Sequence, residues 1–431
     1  MNEVTVIGGG FAGCEAAMQL AKRGVKARLY EMKPVRFSPA HKSEALCELV
    51  CSNSFKAQRV ESAAGLLKAE MELLGSVCVK CAKEPAVPAG GALAVDREGF
   101  SRYITEALLA FANLTVVHEE LTELPASPVI IATGPLTSEA MSEAIERRFG
   151  ESLHFYDAAA PIVTYDSLDH GKVFAASRYD RGADYLNCPM TREEYFAFYH
   201  ALVNAETAPL HSFETPRVFE GCMPIEVMAK RGELTLAYGP LKPVGLEVDG
   251  KRPFAVVQLR RDNTDGTLYN IVGFQTNLKF PEQKRVFGMI PGLEHAEFAR
   301  YGVMHRNTFL ESPKLLTPDY SLRGDTLTFF AGQMTGVEGY VESASSGLLS
   351  ALSLHEKLSG RQALDFTSET AIGALGHYVA EYNGKDFQPM NVTFGIMDPL
   401  SERVRGKQER CERIAARALE RARAMKETFD L

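Results

Sequence analysis

Apolar positions in the opening of the chain switch between two periods. Val4–Ile7 is an almost unbroken apolar run, the signature of a buried strand, and a glycine cluster follows it at once. Positions 14–22, rich in Ala, Met and Leu, then read as a helix that stops at Gly24. Val25, Ala27 and Leu29 alternate with polar neighbours and end at Glu31, which predicts a second strand. Further helices are predicted over 63–74 and 100–111, with a Gly- and Pro-containing segment around 85–91 between them, and strands over 115–118 and 129–132.

Beyond 156 the texture changes to short strands and turns rich in Pro, Gly and Asn, with one clear helix over 193–205. A strand over 326–331 and a helix after Tyr340 return to the pattern of the opening. The expectation is an α/β fold, a nucleotide-binding domain of Rossmann type interrupted by an inserted α+β domain. The expected boundaries are 1–156 for the first part of the nucleotide domain, 157–306 for the inserted substrate domain, and 307–431 for the second part with its charged tail. In that tail, helical over 401–428, Arg403, Arg405, Lys407, Arg410, Arg413 and Arg417 interleave with Glu402, Glu409 and Glu412. This is the composition of a salt-bridged helix more than of an RNA-binding arm.

Length and composition sharpen this only in part. A chain of 431 residues exceeds the size of one ordinary domain. No segment approaches the ~20 apolar residues of a membrane span, and the first strand begins too early for a secretory leader, so a cytoplasmic protein is expected. Eight cysteines at this length then point to reduced thiols, not a disulfide framework. A formal net charge of -8 speaks against a protein that coats nucleic acid, while leaving room for a local basic groove.

The glycine cluster carries the first chemistry. Gly8-Gly9-Gly10-Phe11-Ala12-Gly13 fits G-x-G-x-x-G between a strand and a helix, and Glu31 ends the next strand. Glycines there let backbone amides approach a pyrophosphate at a helix N-terminus, and the acid accepts from ribose hydroxyls. NAD and FAD share this fingerprint. Ile130-Ile131-Ala132-Thr133-Gly134 ends a strand in a small turn, and the segment from Phe329 through Gly332 and Gln333 to Gly347 adds another strand, glycine turn and helix start. Two such returns to the cofactor favour FAD, in the class of flavoproteins with two dinucleotide folds. No second glycine fingerprint marks a resident site for NAD(P)H.

Among the cysteines, Cys222 stands in Phe219-Glu220-Gly221-Cys222-Met223-Pro224-Ile225-Glu226, a loop shaped by glycine and proline. Two readings apply: a nucleophilic thiolate with Glu226 as proton shuttle, or a small buried hydrophobe. Cys51 lies in a polar turn, after a short helix that also carries Cys47. Cys78 and Cys81 have redox spacing but no partners for zinc and are assigned to structure. Cys14 and Cys411 are assigned to packing or solvent exposure on their helices, and Cys188 is undecided. His41, Lys42, Arg59, Arg178, Arg181, Arg260 and Arg261 are candidates for holding RNA phosphates or a folate's glutamate tail, against the commoner role of solvated surface.

Together these segments resemble the bacterial folate- and FAD-dependent tRNA uracil-5 methyltransferases. The matching strings are VTVIGGGFAGCEAA, ELVCSNSF, VPAGGALAVDRE, ATGPLTS, SRYDRGADYLNCPM, FEGCMPIEVMAKRG, AVVQLRRDN, LYNIVGFQT, MIPGLEHAEFARYGVMHRNTF and FFAGQMTGVEGYVESA, spanning Val4 to Ala344. The part from Gly332 to Gly347 is also similar to flavoproteins that modify the tRNA wobble uridine. The resemblance implies methylation of C5 of the T-loop uridine, position 54 of tRNA, to ribothymidine. It implies 5,10-methylenetetrahydrofolate as carbon donor, FAD reduced by NAD(P)H as electron source, and the tRNA T-arm as partner. It assigns to Cys222 the thiolate that adds to uracil C6, and to Cys51 a second role, in methylene transfer or in removal of the C5 proton. Some relatives modify 23S ribosomal RNA instead. At position 56 this chain carries Lys where the resemblance leads one to expect Arg. Two other classes compete: a flavin-dependent disulfide reductase built on Cys78 and Cys81 or Cys47 and Cys51, and a non-catalytic RNA-binding flavoprotein.

Overall fold

The computed structural model describes residues 3–150, 153–178, 182–209, 223–362 and 364–430. Strand Val4–Ile7 (β1) is central in a six-stranded sheet because its apolar side chains find cover on both faces. On one side it pairs in parallel with Ala27–Glu31 (β2), and β2 pairs with Leu114–His118. On the other it pairs in parallel with Val129–Ile131, which pairs with Asp325–Phe330, and the short strand Ser321–Leu322 closes that edge antiparallel. The chain leaves β1 toward β2 and comes back beside β1 from the opposite side. The strand order therefore reverses at the C-terminal end of β1, where open α/β sheets offer a crevice.

Between β1 and β2 runs the helix Phe11–Lys22 (α1), and every residue from Phe11 to Ala21 is buried. It is covered by the sheet and by the long helix Tyr340–Leu358, its most extensive helical neighbour. Missing side chains permit this approach. A Cβ on Gly347 would stand 2.1 Å from the Ala12 carbonyl oxygen, and one on Gly13 would stand 1.9 Å from that of Gly8. Burial also reaches Glu15, whose carboxylate accepts from Ser76 Oγ and from the amides of Val77 and Cys78. One acid thereby caps the helix Val77–Lys83 and fixes it under α1.

The α/β fold with a parallel sheet is the one the periodicity predicts, and the elements over 63–74, 115–118, 129–132, 193–205 and 326–331 form within one or two residues of expectation. The helix predicted over 100–111 starts earlier, at Arg97, because the Asp96 side chain caps it through the Gly99 amide. A second, antiparallel sheet of six strands occupies the middle of the chain, with Tyr185–Met190 and Ala255–Arg261 at its heart. Helices Arg192–Val203 and Phe280–Phe287 cover it, and Tyr195, Phe198, Phe274 and Phe287 fill its core. One core draws on residues before 146 and after 309, the other on 163–296. The antiparallel pair Leu153–Ala158 and Met304–Phe309 links them.

The tail corrects one expectation. Its helix spans Lys407–Phe429 and starts six residues later than the charge pattern suggested. Ile414, Ala415, Ala418 and Met425 face inward, and Lys426 Nζ donates to the Leu73 carbonyl at 2.8 Å. Arg413 pairs with Glu409 as expected of a salt-bridged helix. Among the described residues no helix is long and apolar enough to cross a membrane. Gly347→Ala is expected to destabilise the protein by about 1–3 kcal/mol, since α1 must shift to admit the methyl group. Thermal unfolding measures this, and an unchanged melting temperature would contradict the close packing of the two helices.

Candidate active site

The glycine turn is shaped by what surrounds it. Gly8 has φ +101, and a Cβ there would lie 2.4 Å from the Ala132 carbonyl oxygen, so β1 ends against the turn that follows Val129–Ile131 with no room for a side chain. Gly10 caps α1, whose free N-terminal amides open on a cleft. Glu31 at the end of β2 accepts the Gly9 amide on Oε2 at 2.7 Å and the Lys33 amide on Oε1 at 2.9 Å. Each oxygen keeps a further lone pair for a ligand hydroxyl. Gly134 and Gly332, both in the left-handed region, line the same cleft from the ends of the two flanking strands.

The cleft, counted with the solvent in its open mouth, spans about 1210 Å³. Gly8, Gly9, Gly10, Phe11, Ala12 and Glu31 line one end, with Thr133, Gly134 and Ser138; Cys51, Asp157, Gly332, Gln333 and Tyr340 also line it. Amides at a helix N-terminus and an acid at the end of β2 fit the pyrophosphate and ribose of a dinucleotide. Gly13 does not line the cleft. Its role is the contact with the Gly8 carbonyl that seats α1.

Cys51 sits on a turn held from four directions. Tyr340 Oη, at the start of the long helix, accepts the amides of Cys51 at 2.9 Å and Ser52 at 3.3 Å, while its ring stacks on Phe11 at 4.6 Å. Arg97 donates to the Leu49 carbonyl and pairs with Asp262 at 2.7 Å. Arg260 reaches from the second sheet to Ser52 Oγ and Asn53 Oδ1, both at 2.9 Å. The Cys47 amide donates to the Gly9 carbonyl, which ties the segment to the glycine turn. The Cys51 thiol points to Asp157 Oδ2 at 3.5 Å. Burial pushes the Cys51 thiol well up, and the charges of Asp157 and Glu338 push it further, so the resting group is a thiol.

Comparison with known proteins agrees with this geometry. The model of the family described as Glucose inhibited division protein A matches residues 3–362. The chain belongs to that family. A relative from Bacillus licheniformis is 58% identical over 434 residues, covering 100% of both chains. One from Heliobacterium modesticaldum is 59% identical over 423 residues, 97% of this chain and 96% of the other. Each carries the name methylenetetrahydrofolate--tRNA-(uracil-5-)-methyltransferase TrmFO, as does a 56% identical relative from Bacillus subtilis. Two crystal forms of Aquifex aeolicus GidA share the fold, with TM-scores of 0.72 and 0.73 at 16% identity, over 98% and 99% of this chain and 73% and 77% of theirs.

Several expectations change inside this family frame. Cys222 lies outside the described residues, as does Arg181. No helix carries Cys47: the segment is a series of turns, with Cys47 left-handed at φ 51 because its amide is committed to Gly9. Glu226 is buried, with Oε1 accepting the Asn277 amide and Oε2 the Thr276 hydroxyl, so it pins a loop and is not a free shuttle. Arg260 is not solvated surface but a buried support of the Cys51 turn. Lys56 Nζ pairs with the fully buried Glu342 at 2.8 Å and with Asn391. Cys78 is fully buried with its thiol toward the Phe11 carbonyl, and burial raises the Cys81 thiol to about 11, which suits neither to redox exchange. Cys188 is a core residue of the second sheet.

Sequence reasoning missed Asp157 and Asn307, which reach the cleft from the linking strand pair; Asp157 belongs to no motif, and Asn307 stands unremarked in the matched string ending HRNTF. It also missed Tyr340, although the matched string GYVESA contains it. Glu31→Ala removes the acceptor of the Gly9 amide and the ligand-facing carboxylate. It is expected to weaken dinucleotide binding by about ten- to a hundredfold, a charged hydrogen bond contributing about 1.5–3 kcal/mol. Titration of the stripped protein with FAD, followed by flavin fluorescence, measures this; an unchanged affinity would contradict the assignment.

Proposed function

We propose that the chain transfers a one-carbon unit from 5,10-methylenetetrahydrofolate to C5 of the T-loop uridine of tRNA, using FAD and NAD(P)H. The reading is supported foremost by Cys51, a half-buried thiol held in the dinucleotide cleft of a chain 58% identical over its full length to a relative of that name. Cleft residues take the parts of FAD as their chemistry suggests: amides of Gly9 to Ala12 for the pyrophosphate, Glu31 for the ribose, and the turns at Gly134, Gly332 and Gln333 for the remainder. Bound there, FAD reduced by NAD(P)H supplies the electrons that convert a methylene into a methyl group.

The protein's own part is to make uracil C5 nucleophilic and to manage protons. Cys222 is assigned the attack: its thiolate forms a bond to C6, the C5–C6 π pair moves toward O4 as an enolate, and C5 then attacks the one-carbon electrophile. Cys51 is assigned the second thiol role, in carbon transfer or in removing the C5 proton. A uridine folded into the T-loop has its faces stacked, so it must leave that stack to reach the Cys51 thiol in the cleft.

Cys222→Ala is expected to abolish the covalent adduct with tRNA bearing 5-fluorouracil, because fluorine at C5 cannot depart as a proton and traps the C6 adduct. A denaturing gel reads the adduct, and one that persists in Cys222→Ala overturns the assignment of the nucleophile. Removing FAD from the native protein is expected to abolish methylation and restoring FAD to recover it; methylation undiminished without flavin would overturn the cofactor's part.

A further inference from the structure

Two carboxyls act on the Cys51 thiol: Asp157, which lines the cleft with it, and Glu338, whose charge reaches it. Asp157, on Leu153–Ala158, is 6% exposed and lies with Oδ2 3.5 Å from Cys51 Sγ. Glu338, also 6% exposed, accepts from Gln333 Nε2 and feels the charge of Asp157. Among the described residues, the other charged and titratable groups acting on this set are Tyr340, Arg97, Arg300, Lys56 and Glu342; Arg97 pairs with Asp262 and Lys56 with Glu342. Burial and the neighbouring Asp157 push the Glu338 carboxyl well up.

A thiol that holds its proton cannot accept another. Cys51 can therefore serve as a base only if its own proton has somewhere to go, and the acceptor its thiol reaches is Asp157 Oδ2. We propose that Asp157 is the proton acceptor through which Cys51 works, which deepens the reading of this cleft as a uracil methylation site and assigns Cys51 to the C5 proton. The C5–H bond breaks and an Sγ–H bond forms; in the same motion the former Sγ–H bond breaks and an Oδ2–H bond forms. The electron pair of the C5–H bond stays on the ring as the enolate at C4–O4, and the negative charge passes from Asp157 to the uracil. No oxidant or reductant enters this step. Asp157 thus acts through Cys51 as a positioning residue.

The test measures tritium released to water from tRNA carrying 5-tritiated uridine, with the flavin-loaded full chain and folate. Asp157→Asn is expected to lower release about a hundredfold, the lower end of the range for general base catalysis, while flavin content and tRNA binding are kept. Asp157→Glu is expected to recover release to within about tenfold of native and to move its pH dependence, because the acceptor's position and basicity have changed. In Asp157→Asn the pH midpoint for alkylation of Cys51 by iodoacetamide is expected to fall, since a negative neighbour is gone. Release by Asp157→Asn within threefold of native, with Cys51→Ser inactive, overturns the relay and leaves the role of Cys51 standing. Full release by Cys51→Ser overturns the role of Cys51 itself. Should Asp157→Asn fail to hold flavin, Asp157→Glu decides: an unchanged pH dependence overturns the relay and a displaced one supports it.

Discussion

The approach of α1 to its surroundings without intervening side chains is the constraint on which the rest of the molecule depends. Gly8 and Gly13 bring the first turn of α1 against the end of β1, and Gly347 brings the long helix against Ala12. This closeness aims the amides of α1 into the cleft and sets Tyr340, at the head of the long helix, against Phe11. From Tyr340 the constraint passes to the Cys51 turn through two hydrogen bonds, and from Gly9 through a third to Cys47. The pyrophosphate end and the thiol end of the cleft are thus fixed by one packing arrangement.

The second sheet completes the site from the opposite side. Arg260 extends from Ala255–Arg261 to the side chains of Ser52 and Asn53, and the Asn53 amide group donates in return to the carbonyls of Val95 and Arg261. Asp262 holds Arg97 against the Leu49 carbonyl. These groups hold one another through several hydrogen bonds and an ion pair, which gives the turn a defined geometry where a loop alone would wander. The proposed chemistry therefore falls where two cores meet, with the dinucleotide cleft supported by one and the Cys51 turn braced by both.

Much of this was legible in the sequence, for identifiable reasons. The glycine fingerprint, Glu31 and the strand ending at Gly134 belong to local patterns in which spacing and backbone freedom speak directly. The Cys51 segment did not: its helical appearance gave way because the Cys47 amide is used by Gly9, a contact made across the fold. Arg260 looked like surface because nothing local reveals that Ser52 and Asn53 await it 207 residues away. Asp157 carried no motif and enters the site through strand pairing alone. Patterns that act within one element were readable, and side chains recruited by tertiary contact were not.

The most direct measurement supplies methylenetetrahydrofolate labelled in its one-carbon unit, FAD and NAD(P)H to the full chain with two RNAs, an unmodified tRNA transcript and a fragment of 23S ribosomal RNA. Label on the T-loop uridine of the tRNA, recovered as ribothymidine, is the expected result. Label in neither RNA from a flavin-loaded protein would contradict a methyltransferase site in this cleft, and label in the ribosomal fragment alone would contradict tRNA as its substrate.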